Sequence, residues 1–229
     1  QPNTPTFVVS TGRQLPEEFM QSAEENHIPV LATELTSSKT LANMTYFLSG
    51  GLAERESIHG VLVDIFGLGV LITGDSGVGK SETALELVQR GHRLIADDRV
   101  DVYAQDEERL VGEPPAILRN LMELRGVGII DVMDLFGAGA VRSHATIAFN
   151  LHLAKWHDDQ DVDRLGNGEE VMTIQGVDLP RFVLPVQAGR NLAVLVETAT
   201  KNFRAKLMGF DATQTFNNNL NKLISDNSK

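Results

Sequence analysis

The chain of 229 residues is 42% hydrophobic and carries 20 Lys and Arg against 31 Asp and Glu, a formal net charge of −11. That length holds one large domain or two modest ones, and the apolar fraction suffices for a buried core, which excludes disorder as the dominant state. The acidic balance argues against a general phosphate-backbone binder, since non-specific nucleic-acid affinity rests on a cationic surface, but it leaves room for a small basic site.

With no Cys anywhere, a disulfide framework, a thiolate nucleophile and a Cys-ligated zinc are ruled out, and a cytoplasmic home fits such a chain. No apolar run approaches the roughly 18 residues of a membrane span. The start, Gln1-Pro-Asn-Thr-Pro5, has neither the charged nor the apolar region of a signal peptide. The expectation is a soluble protein with no membrane and no nucleic-acid partner. Because residue 1 is not Met, the sequence is read as a fragment or a processed product.

In chain order, Thr6 to Ser10 and Pro29 to Thr33 read as short strands, while Pro16 to Glu25 and Ser37 to Leu48 carry helical spacing. This piece is small for a self-sufficient core. Ser49-Gly50-Gly51-Leu52 reads as the domain boundary, because paired glycines punctuate periodic segments.

Beyond it, strand-like runs cover Ile58 to Ile65, Gly69 to Thr73, Arg93 to Ala96, Val100 to Tyr103, Gly128 to Val132, Thr146 to Leu153, Phe182 to Val186 and Leu192 to Glu197. Two segments read as helices, Lys80 to Gln89 and Ala212 to Ile224, the second with Phe216, Leu220, Leu223 and Ile224 on one face. The expected fold is therefore a strand-rich mixed α/β domain, not a regularly alternating doubly wound sheet. Between Trp156 and Glu170, six acids surround one Arg164, the composition of a solvated loop.

Gly74-Asp75-Ser76-Gly77-Val78-Gly79-Lys80-Ser81 satisfies G-x-x-x-x-G-K-[ST]. It stands between an apolar strand, Val70 to Thr73, and a good helix, Glu82 onward, as the mechanism requires. The glycines let successive backbone N–H groups curl round an anion, Lys80 reaches β- and γ-phosphates, and the Ser81 hydroxyl ligates Mg²⁺. The helix N-terminus adds its positive dipole end.

A P-loop does not name the acceptor. Asp97-Asp98 follows an apolar run, where one acid can hold Mg²⁺ directly or through water and the other can take a proton from an acceptor hydroxyl. The alternative is a turn with two solvated acids. His59, inside an apolar strand, is either an ordinary core or surface histidine or a catalytic one. Glu123 and Arg125 share a face if extended, as a surface ion pair or as a metal ligand beside a phosphate clamp. Arg164 either balances its acidic neighbours or serves the site, and Pro185 to Arg190 reads equally as an ordinary turn.

Taken together, Gly74 to Ser81, the Asp97-Asp98 pair and above all Glu123-Leu-Arg-Gly-Val-Gly-Ile-Ile-Asp-Val-Met-Asp-Leu-Phe-Gly137 resemble the bacterial HPr kinase/phosphorylase family, from about Glu54 to Phe216. The resemblance implies a P-loop-containing, mixed, strand-rich catalytic domain over residues 51–229, preceded by residues 1–50 as the C-terminal part of a smaller α/β N-terminal domain. It implies an enzyme that uses ATP or pyrophosphate to phosphorylate a serine of HPr, the small carrier of the sugar phosphotransferase system. The reverse reaction would be phosphorolysis, consuming inorganic phosphate and giving pyrophosphate, in the service of carbon catabolite repression. A cytoplasmic homohexamer is implied as well.

Carried over by position, His59, Lys80, Asp98 and Arg164 match the family's active site. Asp98 is the implied general base toward the serine and the general acid in reverse. Gly74, Asp75, Ser76, Gly77, Val78, Gly79, Lys80 and Ser81 match its nucleotide site, and Ser81 and Glu123 its magnesium ligands. Pro185, Val186, Gln187, Ala188, Gly189 and Arg190 match a segment tied to dephosphorylation. Gln187 departs from the basic residue common there, which implies weaker phosphate handling in reverse. Asp134, where Asn is frequent, is a conservative departure. Two other readings of the P-loop remain open from the residues: a small-metabolite kinase, which would need a closed pocket, and a nucleotide sensor, in which Asp98 and Arg164 would be dispensable.

Overall fold

The computed structural model describes residues 4–155, 170–187 and 189–227. The chain divides into two compact units, Gln1–Ala53 and Glu54–Lys229.

In the first unit, β1 (Phe7–Val9) and β2 (Val30–Ala32) pair in parallel, with Phe7 opposite Val30. Helix α1 (Glu17–Glu25) joins them and brings Phe19 edge-on to Phe7, with ring centroids 5.1 Å apart. Helix α2 (Ser37–Leu52) is capped by Thr36, whose hydroxyl oxygen accepts the Lys39 N–H. It runs through Gly50 and Gly51, the pair expected to punctuate the chain. Glycine costs about 1 kcal/mol inside a helix but is tolerated near its end, and Ala53 then turns the chain extended.

The second unit is built on a branched sheet. Its strands are β3 (Glu56–His59), β4 (Val61–Ile65), β5 (Leu68–Gly74), β6 (Arg93–Ala96), β7 (Arg99–Ala104), β8 (Leu110–Glu113), β11 (Ala145–Lys155), β12 (Glu170–Ile174) and β13 (Val177–Val186). A separate hairpin pairs β9 (Leu121–Leu124) with β10 (Gly128–Asp131). The helices are α3 (Lys80–Gln89), α4 (Val132–Phe136), α5 (Leu192–Leu207) and α6 (Ala212–Asn227). The order β3-β7-β8-β11-β5-β4-β6 branches at β11, which also pairs in parallel with β13, itself joined by β12.

Residues 61 to 65 explain why this sheet is covered on both faces. Val61, Val63 and Ile65 enter one apolar cluster with Ile72, Leu87, Phe149 and Val196, while Leu62 enters another with Leu71, Val100, Ile147 and Leu179. Alternate side chains thus feed two cores, and the central strands are mostly apolar, as two-sided burial favours, with buried Asp64, Thr73 and Asn150 as polar exceptions.

Strand-rich mixed α/β architecture is the observed class. Three local expectations are corrected. The run Ile58 to Ile65 is two strands, parted at Gly60, whose N–H leaves the ladder for the Asp98 carbonyl at 3.1 Å. Leu192 to Glu197 is not a strand but the start of α5: the Asn191 side chain caps it, and Ala193, Val196, Glu197 and Thr200 form its buried stripe. Phe203 on the same helix packs against Phe149 of the sheet at 4.7 Å. Residues 110 to 113, 121 to 124 and 170 to 174 are strands that were not expected. The acidic stretch 156–169 lies outside the described residues.

Candidate functional site

β5 ends at Gly74 and α3 begins at Lys80, so the P-loop is the turn between a central strand and a helix. Gly79 holds the N-cap at φ +98°, a left-handed conformation open to glycine, and has no side chain to cap the first turn. The orphan N–H groups of α3 are therefore left for an anion. Lys80 is buried and its Nζ donates to the carbonyls of Gly74 at 2.9 Å and Asp75 at 3.0 Å. Burial lowers its pKa from 10.5, against the opposing pull of Asp98, Asp97 and Asp75.

The Asp97-Asp98 pair divides in environment. Asp97 is buried; one oxygen accepts the Ser81 hydroxyl at 2.8 Å and the other the Glu123 N–H at 3.1 Å. Burial raises its pKa despite those hydrogen bonds. Asp98 is exposed and sits at φ +64°, a costly conformation for a residue with a Cβ. Its carbonyl is held by the N–H of Gly60 and by Nδ1 of His59 at 2.9 Å, and that same ring nitrogen lies 3.2 Å from its carboxylate. One acid braces the site and the other faces outward.

The β9–β10 hairpin supplies the far wall. Arg125 donates from Nη2 to the Ser76 hydroxyl at 3.1 Å and lies over Gly77. An open pocket is lined by Ser76, Gly77, Gly79, Lys80, Ser81, Glu82, Asp97, Asp98, Glu123 and Arg125. Among the described residues no group of three or more His, Asp or Glu forms a ready-made metal cage. That donor set fits Mg²⁺ all the same, because Mg²⁺ keeps waters and takes one or two carboxylates plus substrate phosphates. Ser81, whose proton is committed to Asp97, keeps its lone pairs free, and Glu123 is exposed on the hairpin wall of the same pocket.

Of the residues singled out from the sequence, the structure gathers Ser76, Gly77, Gly79, Lys80, Ser81, Asp98 and Glu123 at the pocket, with His59 behind Asp98. The described part of the 185–190 segment does not line it. Pro185 and Val186 end β13, and the Arg190 N–H closes a turn on the Gln187 carbonyl at 3.2 Å. Arg164 and Ala188 lie outside the described residues. Asp134 is in α4, where its N–H is capped by Asp131. Two roles were left open by the sequence. Asp97 is the bridge between the P-loop helix and the hairpin, and Arg125 faces the P-loop instead of pairing with Glu123.

Comparison with known proteins adds the following. Residues 1–48 match the model of the "HPr Serine kinase N terminus" and residues 50–220 that of the "HPr Serine kinase C-terminal domain". The chain is 64% identical over 228 residues to an HPr kinase/phosphorylase of Lactiplantibacillus plantarum, covering 100% of this chain and 72% of that protein. It is 62% identical over 228 residues to the one of Levilactobacillus brevis, covering 100% and 73%. Among solved structures, that of the Hpr(Ser) kinase/phosphatase from Coxiella burnetii is similar at a TM-score of 0.62 and 33% identity, covering 67% of this chain and 99% of that one.

Proposed function

Since the chain belongs to the HPr kinase/phosphorylase family, we propose that the pocket between its P-loop and the β9–β10 hairpin is where a phosphoryl group passes to and from a serine of HPr. The chain is a protein serine kinase and phosphorylase acting on HPr, in a family that serves carbon catabolite repression. We assign residues 1–50 to the end of the N-terminal domain and 51–229 to the catalytic domain.

In this reading, ATP or pyrophosphate lies along the backbone of Gly74 to Ser81 with its phosphates at the N-terminus of α3. Ser81 and Glu123 would hold Mg²⁺, which neutralises phosphate charge when bound. Lys80 exchanges its two loop carbonyls for phosphate oxygens. In the kinase direction the serine oxygen attacks the terminal phosphorus, its proton passes to the Asp98 carboxylate, and ADP or inorganic phosphate leaves as the old P–O bond breaks. In reverse, Asp98 returns that proton to the serine oxygen while inorganic phosphate takes the phosphoryl group as pyrophosphate. His59 orients Asp98. Arg125 faces the phosphates, and Arg164 and the 185–190 segment serve the transferring group and the incoming phosphate. A cytoplasmic homohexamer is carried over from the family; no helix among the described residues is long and apolar enough to cross a membrane.

The observation that carries this reading is the division of Asp97 and Asp98, one buried against Ser81 and Glu123, the other exposed beside Lys80. The openness of Asp98 suits an acceptor hydroxyl presented by a protein. Incubation of the chain with HPr, Mg²⁺ and either ATP or pyrophosphate, followed by mass spectrometry, should show phosphoserine on HPr. It should be absent with Lys80→Ala and strongly reduced with Asp98→Asn. No transfer by the folded unmutated chain refutes the reading.

A further inference from the structure

A polar chain crosses the otherwise apolar middle of the sheet immediately below the phosphate loop. Asn150 is fully buried on β11, and its Nδ2 donates to the Leu71 carbonyl at 2.9 Å and to the Thr73 hydroxyl oxygen at 3.0 Å. Thr73, also buried, lies 3.1 Å from Nδ1 of His152. Its oxygen already accepts from Asn150, so its single proton is free to be donated. The nearer acceptor is His152 Nδ1, with Asn150 Oδ1 at 3.3 Å. Donation to His152 Nδ1 requires a neutral imidazole that carries its proton on Nε2.

The position of this chain gives it a purpose. Thr73 and His152 are register partners, and so are the next residues, Gly74 and Leu153. Gly74 is pressed so closely on β11 that a Cβ there would lie 2.3 Å from the Leu153 carbonyl oxygen. Gly74 in turn offers the carbonyl that Lys80 holds. The entry of the phosphate loop is thus fixed by a strand pair whose side chains are joined through one Thr-to-His hydrogen bond.

We propose that His152 is a positioning residue for phosphoryl transfer, accepting the Thr73 proton at Nδ1 and so fixing the strand end from which the phosphate loop departs. This rests on the reading of the P-loop as the polyphosphate seat. The groups acting on the ring are Thr73 from β5, Arg181 from β13, Glu170 from β12, Asp75 from the loop and Lys80 from α3. Burial first, then the Arg181 cation, lower its pKa from 6.5, which keeps Nδ1 an acceptor to more acidic pH than an ordinary histidine would.

The test compares His152→Ala, which removes the acceptor, with His152→Asn, whose Oδ1 can replace Nδ1, and with Thr73→Val, which removes the donor at nearly constant shape. Pyrophosphate binding is read by calorimetry, turnover by HPr phosphorylation, and folding by thermal melting. Expected are an increase in pyrophosphate Kd of roughly 5- to 20-fold in His152→Ala and Thr73→Val, and a Kd within about 2-fold of the parent in His152→Asn. The double variant His152→Ala/Thr73→Val should be no worse than Thr73→Val alone, because that variant already removes the bond to His152 together with the one from Asn150. Parental affinity should fall more steeply toward acid pH than that of His152→Asn, since the ligand's own protonation weakens both alike. Parental affinity in Thr73→Val, or equal impairment of His152→Asn and His152→Ala, overturns the proposal; both remain readable should His152→Ala fail to fold. No binding of pyrophosphate by the parent chain overturns the reading of the pocket itself, and this inference with it.

Discussion

His59 Nδ1 stands 2.9 Å from the main-chain carbonyl of Asp98 and 3.2 Å from its carboxylate, so one ring N–H grips both ends of the same residue. The main-chain contact helps to hold a φ of +64°, and the carboxylate contact aims the side chain. Asp98→Asn should therefore lower HPr phosphorylation and phosphorolysis alike, by about 10²- to 10⁴-fold, with ATP affinity changed by no more than about 3-fold. His59→Ala should cost about 10-fold in turnover, through misplacement of Asp98. Single-turnover phosphorylation beside calorimetric ATP binding separates the two effects.

Lys80 loses its proton more readily than an exposed lysine because burial disfavors the ammonium. Since the cation is the form that holds phosphate, ATP affinity should fall on the alkaline side, with a midpoint in the free protein below the ordinary 10.5. Lys80→Arg, which stays charged, should bind ATP without that alkaline limb, though with impaired transfer. Titration of ATP affinity against pH in both proteins checks this.

Gly74→Ala should break the loop more severely than an ordinary surface substitution. Its Cβ would sit 2.3 Å from the Leu153 carbonyl, at a φ of +139° that favours glycine. The expected cost is about 2–4 kcal/mol of stability and at least 10-fold in ATP affinity, measured by urea unfolding and calorimetry.

Glu197 on α5 takes Arg90 through two hydrogen bonds, at 2.9 and 2.8 Å, and meets buried His92 at 2.9 Å. The Arg90 hydrogen bonds hold its pKa at about 2, down from 4.5. A depressed carboxylate adds stability that is complete above the unfolded value near 4.5 and fades as pH falls toward 2. Glu197→Gln should melt lower by about 2–6 °C at neutral pH, and the gap should close in acid. Melting curves from pH 2 to 7 decide it.

The P-loop was legible because strand, glycines, lysine and helix form one local sequence, and the Asp97-Asp98 pair because it ends an apolar run. What separated the two acids was not: burial of Asp97 follows from the hairpin N–H of Glu123, 26 residues away in sequence. Leu192 to Glu197 misled because Leu-Ala-Val-Leu-Val is as apolar as a strand. The Asn191 cap and the spacing of Ala193, Val196 and Thr200 were the overlooked helical signs. His152 stayed silent for a related reason: within an apolar run a lone histidine carries no local signal, and its partners Thr73 and Asn150 meet it only through strand pairing.

Glu123 and Arg125 stand two residues apart on a hairpin whose intervening and preceding residues, Leu124 and Met122, are buried in the core. Side chains on a strand alternate, so a slip of one residue in β9 would send Glu123 inward, bring Met122 and Leu124 out, and displace the adjoining turn residue Arg125 with them. The wall opposite the P-loop is consequently all-or-none. Loosening this hairpin would draw the Glu123 carboxylate and the Arg125 cation away from the P-loop in the same movement.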